Sequence, residues 1–132
     1  MSLIKGTHHI SLKPVGREQL QETIHFYRNI LGLVVVRRWE DGSGVFLWTG
    51  NSILEINDNG EQILPQGSIH HFALLTDDVD ECVRRVREAG YEIAIEPTNL
   101  TLPHAEGGMN IRMAFCKGPV GEDIEFFTEL PS

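Results

Sequence analysis

His8-His9-Ile10-Ser11-Leu12 returns sixty-two positions later as His70-His71-Phe72-Ala73-Leu74. Each copy opens on a histidine pair and runs into alternating residues, the pattern of a strand with one covered face. A helical pattern follows in each case. Later in each copy a single glutamate stands between large apolar residues: Glu55 between Leu54 and Ile56, and Glu125 between Ile124 and Phe126. The chain reads as a duplicated unit.

Working outward from the first copy, residues 8–14 form a strand and 17–31 a helix. In that helix Leu20, Ile24, Tyr27 and Leu31 recur at helical spacing, and Gly32 takes the position of a C-terminal cap. The β-branched stretch 33–39 and the segments 44–49 and 52–57 are three further strands, the last two joined around Gly50–Asn51. A polar connection, 58–67, leads to the second copy. There the strand is 69–75, and a helix starts near Asp77–Asp78, keeps Val79, Val83 and Val86 inward, and ends at Gly90. Strands at 91–95, 111–116 and 123–128 complete it. The expected fold is α+β, two βαβββ repeats (7–60 and 67–130) in one domain spanning 1–132. The stretch 96–109, with Pro97, Pro103, Gly107 and Gly108, reads as a long irregular loop. A loop of that length is often a lid, and His104 and Glu106 would be its chemical groups.

Composition narrows the function. The 132 residues, 41% hydrophobic and 23% charged, suffice for one substantial core. No apolar run approaches the ~20 residues that span a bilayer, and the N-terminal residues lack an export pattern, so a cytoplasmic protein with no membrane partner is expected. Cys82 and Cys116 are then reduced thiols without a chemical role. A net charge of −8 argues against nucleic acid, and it repels anionic metabolites unless cations gather locally at a site.

Alternation along the strands picks out four candidate ligands. His9 shares a face with Ser11 and Lys13, His71 with Ala73, Glu55 with Ile53 and Asn57, and Glu125 with Asp123 and Phe127. A carboxylate on a strand face that is taken out of water needs a cation or hydrogen bonds. Two imidazoles and two carboxylates at equivalent places of a repeat suit one divalent ion: Zn, Ni, Co, Mn or Fe(II). With open positions, such an ion chelates two adjacent substrate oxygens and stabilises negative charge on them. His8 and His70 should point to the opposite face as scaffold, and His25 should be a surface residue.

These residues resemble the vicinal oxygen chelate superfamily (glyoxalase, bleomycin resistance and dioxygenase proteins), and within it the glyoxalase I group. The resemblance covers nearly the whole chain. It is carried by His9-Ile-Ser-Leu-Lys13, by Phe26–Tyr27 with Leu31–Gly32, and by Lys117-Gly-Pro-Val-Gly-Glu-Asp-Ile-Glu-Phe126. It implies the glyoxalase-type fold with a curved mixed sheet around a metal site, whose ligands are His9, Glu55, His71 and Glu125. It also implies a homodimer with sites shared between subunits, acting on a small-molecule substrate. The implied reaction converts the hemithioacetal of methylglyoxal and a thiol, glutathione or an analogue, to a thioester by proton transfer through an enediolate. Glu125 would be the base, with Glu55 the second choice. Asn59 matches an asparagine that contacts glutathione in the family. Lys13 stands where the family has a glutathione-gripping arginine, so the charge is kept and the two-pronged fork is lost. A ring-cleaving Fe(II) dioxygenase, a thioester epimerase and a non-catalytic resistance protein are the alternatives within the superfamily. The four-ligand set favours the lyase over each of them.

Overall fold

The computed structural model describes residues 3, 5–63, 67, 69–104 and 107–131, the side chain of His104 excepted. The chain divides into two compact units, Met1–Ile63 and Leu64–Ser132. Each has the order strand, helix, three strands that the duplicated pattern predicts.

The first unit comprises β1 (His9–Leu12), α1 (Gly16–His25), β2 (Val34–Arg38), β3 (Gly44–Trp48) and β4 (Ile53–Asn57). Its sheet has the order β1-β4-β3-β2, with β1 parallel to β4 and the other pairs antiparallel. The parallel pair needs a crossover, which α1 supplies. α1 widens at its C-terminal end into a π-helical turn, Phe26–Ile30, where Leu31 donates to the Phe26 carbonyl at 3.1 Å. Both rings of Phe26–Tyr27 are fully buried there beside Leu20, and Leu47, Leu54 and Ile56 supply the sheet side of the core. Gly32 has φ +83°, the left-handed conformation that ends a helix at low steric cost.

The second unit repeats this with β5 (Phe72–Leu75), α2 (Val79–Glu88), β6 (Ile93–His104), β7 (Gly107–Lys117) and β8 (Asp123–Glu129), in the sheet order β5-β8-β7-β6. Asp78 caps α2 by accepting from the Glu81 N–H at 3.0 Å, and Asp80 and Glu81 in the first turn complement the helix dipole. Val79, Val83 and Val86 are buried as their spacing predicts, packed toward Ile124 and Phe126 of a sheet whose inner face is equally apolar. Cys82 and Cys116 are both free thiols. Burial pushes the Cys116 thiol up to about 12, which leaves it inert.

One expectation is overturned. Residues 96–109 are not an irregular loop: β6 and β7 form a long antiparallel ribbon paired from Ile93↔Cys116 out to His104↔Gly107. The two prolines that suggested a loop are tolerated because β6 is an edge strand, where a missing N–H breaks no central ladder. Pro97 also falls where the register shifts, between Ile95 and Thr98. The lid reading therefore loses its structural basis at the ribbon's backbone; Glu106 lies outside the described residues.

Candidate metal and substrate site

The two glutamate strands alternate as their sequences imply. On β4, Leu54 and Ile56 are buried while Ile53, Glu55 and Asn57 are half-exposed on the other face; on β8, Ile124 and Phe126 are buried while Asp123, Glu125 and Phe127 are half-exposed. Parallel pairing sets Ser11 opposite Glu55 and Ala73 opposite Glu125. His9, two residues upstream on β1, shares the face of Ser11; His71 lies just before β5, and its ring still reaches the Glu125 carboxylate. His9 Nε2 lies 3.8 Å from Glu55 Oε1, and His71 Nε2 lies 3.1 Å from Glu125 Oε1. The predicted ligands thus come as two matched pairs, one in each unit. Among the described residues no three His, Cys, Asp or Glu donors converge.

These pairs have the chemistry of metal donors. Nitrogen and oxygen ligands about 2.1 Å from one ion lie roughly 3–3.5 Å from each other. The 3.1 Å pair falls inside that range and the 3.8 Å pair slightly outside it. In each pair the Nε2 edge of the imidazole faces the carboxylate, and both side chains retain some exposure, the glutamates 18% and 13%. Each pair would supply two ligands to a divalent ion.

The first histidine of each doublet departs from the expected opposite face. His8 Nδ1 lies 2.9 Å from His9 Nδ1, and His70 Nδ1 lies 2.8 Å from His71 Nδ1, with the rings edge to face in both doublets. The reason is local. β1 begins at His9 and β5 at Phe72, so both doublets sit at or just before a strand's first residue, where alternation no longer fixes the face a side chain takes. One nitrogen of each contact must carry the proton. With Nδ1–H on His9 and His71, their Nε2 lone pairs are left for an ion, the tautomer a metal-binding histidine needs.

Two aromatic residues complete the pattern, and sequence reading missed both. Phe46 is in register with Glu55 and stacks on His9 with ring centroids 6.0 Å apart; Phe115 is in register with Glu125 and meets His71 edge-on at 4.9 Å. Their signal was present in the duplication, since each is the apolar residue opposite the glutamate on the preceding strand.

Of the weaker candidates, Lys13 and Asn59 are brought together, with Lys13 Nζ donating to Asn59 Oδ1 at 3.2 Å. An isolated bridge between Val15 and Asn59 holds the two segments side by side. His104 ends β6, and its side chain lies outside the described residues. His25 is exposed at the end of α1, as expected.

Residues 6–126 match the family model described as the glyoxalase/bleomycin resistance protein/dioxygenase superfamily. Lactoylglutathione lyase GLX1 of Arabidopsis thaliana is 31% identical over 123 residues, covering 86% of this chain and 41% of the relative. The chain thus spans about two fifths of the length of that curated relative. Among solved structures, the trypanothione-dependent glyoxalase I of Leishmania major is similar with a TM-score of 0.69 at 24% identity, over 95% of this chain and 87% of the other. A glyoxalase/bleomycin resistance protein/dioxygenase from Alicyclobacillus acidocaldarius also scores 0.69, at 16% identity, over 96% of this chain and 92% of the other. These two likenesses bear on the fold alone, two four-stranded mixed sheets each with its crossover helix.

Proposed function

Because the chain belongs to the glyoxalase/bleomycin resistance protein/dioxygenase superfamily, we propose that it is a glyoxalase I-type lyase that isomerises the hemithioacetal of methylglyoxal and a thiol to a thioester. The observation that carries this reading is the doubled His–Glu pair, His9 with Glu55 and His71 with Glu125. All four residues that the family resemblance implies as ligands are present. A divalent ion held by these residues would act as a Lewis acid toward the substrate's two neighbouring oxygens.

The remaining work falls to the protein. Glu125 is the base: its carboxylate takes the proton from C1 of the hemithioacetal and returns it to C2, with Glu55 the second choice for that role. The C1–H bond breaks and a C2–H bond forms. The hydroxyl proton passes from the C1 oxygen to the C2 oxygen, so the step is an isomerisation without oxidant or reductant. Phe46 and Phe115 stand in register with the two glutamates on the neighbouring strands, an apolar residue beside each carboxylate. The direct test is thioester formation from methylglyoxal and glutathione by metal-reconstituted protein. Wild type should be active, and Glu125→Gln should lose at least ~100-fold in kcat, the scale of general-base catalysis. Inactivity of the wild type with every divalent ion would overturn the substrate assignment.

We also propose that the protein is a cytoplasmic homodimer whose sites each combine the first unit of one subunit with the second unit of its partner. Exposed apolar side chains in both units, Val34 and Trp48 in the first and Ile69 and Leu75 in the second, suit such an assembly. Mixing inactive His9→Ala and His71→Ala chains should then restore activity, because the heterodimer rebuilds one intact site. Sites confined to single chains would give no restoration.

A further inference from the structure

The cations of this acidic chain are distributed unevenly. In the second unit every lysine and arginine is engaged: Arg84 and Arg85 with Glu81, Arg87 with Glu96, Arg112 with Asp80 and Lys117 with Asp123. In the first unit Arg37 and Arg38 lie adjacent on β2, exposed, with no ion pair among the described residues. Burial does not explain their presence, and neither does pairing.

Register places one of them on the ligand face. Arg37 pairs with Phe46, Phe46 with Glu55, and Glu55 with Ser11, so these four residues form one row across the sheet on the side that carries His9. A bulge between Val35 and Arg37 is what turns Arg37, rather than Val36, into this row. Two strand spacings put its backbone about 10 Å from that of Glu55. Beside it opens a groove of about 580 Å³ lined by Val36, Arg37, Arg38, Trp39 and Phe46. Trp39 meets Phe46 edge to face at 5.0 Å, and Phe46 in turn stacks on His9, so the groove's aromatic wall is continuous with the candidate ligand.

The second unit supplies an internal control. The equivalent row reads Ala73, Glu125, Phe115, Ile95, and the place of Arg37 is taken by an aliphatic side chain. The two repeats keep the histidine, the glutamate and the aromatic residue, and they differ at this outermost position.

We infer that Arg37 anchors a carboxylate of the substrate's thiol limb, with the limb lying along the Trp39–Phe46 wall, and that the site therefore selects acidic thiol adducts over neutral ones. The inference rests on the lyase reading for the limb's identity. Its physical basis is separate: an unengaged guanidinium offers the planar fork that binds a carboxylate through two hydrogen bonds. It also supplies the local positive charge that a protein of net charge −8 needs in order to admit an anion.

The test is calorimetric titration of the purified chain with N-acetyl-S-methylglutathione, which cannot react, and with its uncharged diester. Wild type should prefer the acid, and added salt should weaken only the acid. Arg37→Gln should weaken acid binding by about tenfold or more, the scale of a charge-assisted hydrogen bond, and leave the ester unchanged. Arg37→Lys should recover part of the loss. Equal binding of the acid by wild type and Arg37→Gln would overturn the inference, as would a wild type that fails to bind the acid or to prefer it. Absence of hemithioacetal turnover with the acid preference intact would sink the lyase reading and leave the anchor standing.

Discussion

At the residue scale, the histidine doublets assign two different tasks to neighbouring identical side chains. His9 and His71 face the carboxylates through Nε2, while His8 and His70 contact the other nitrogen, Nδ1, of each neighbouring ring. Such outer contacts fix the tautomer and orientation of a ligating imidazole, and losing one typically weakens metal binding by about 10–100-fold. His70→Leu should therefore lower the affinity for a divalent ion by that factor while leaving the folded state intact, since His70 is exposed. His70→Asn, which can still accept from the His71 Nδ1–H, should recover part of it. An affinity unchanged in His70→Leu would return these residues to the role of scaffold. Reading the sequence by strand alternation gave Glu55 and Glu125 their correct face. It misplaced His8 and His70, which precede β1 and β5 and turn their Nδ1 edges onto the neighbouring imidazoles.

At the element scale, the strand and helix periods were legible wherever one face is buried. Val79, Val83 and Val86 were read inward and are inward; Leu54 and Ile56 likewise alternate with Glu55. The ribbon of β6 and β7 was not legible, since two prolines and two glycines normally mark a loop. They persist in β6 and β7 because an edge strand and a register shift absorb them. The close approach at Gly60 was also hidden, being a matter of tertiary spacing. A Cβ there would come within 2.0 Å of the Lys13 carbonyl oxygen, and the Gly60 N–H donates to the Pro14 carbonyl at 3.0 Å. Gly60→Ala should cost about 1–3 kcal/mol and part the segments that carry Lys13 and Asn59. Thermal unfolding should show it as a drop of several degrees; a variant as stable as wild type would mean that this segment relaxes at little cost.

At the scale of the whole molecule, duplication is the economical part of the design. One βαβββ pattern, used twice, delivers a histidine, a glutamate and a flanking aromatic residue at equivalent register positions. Divergence between the copies, Arg37 against Ile95, is then free to set which substrates enter. The family and the fold could be read from the sequence because they rest on repeated local patterns. The reach of each histidine to its glutamate was legible only as a shared strand face, because the contact itself depends on the register of two strands distant in sequence. The proposed site needs His9, Glu55, His71 and Glu125 to hold one divalent ion together, which equilibrium dialysis of metal-free protein against Co²⁺ measures. One ion per chain should bind to the wild type, with Glu55→Gln and Glu125→Gln each weakening it at least about tenfold, the minimum expected for losing a direct ligand. Binding of Co²⁺ that is absent from the wild type, or unaltered when both glutamates are replaced, would contradict the account.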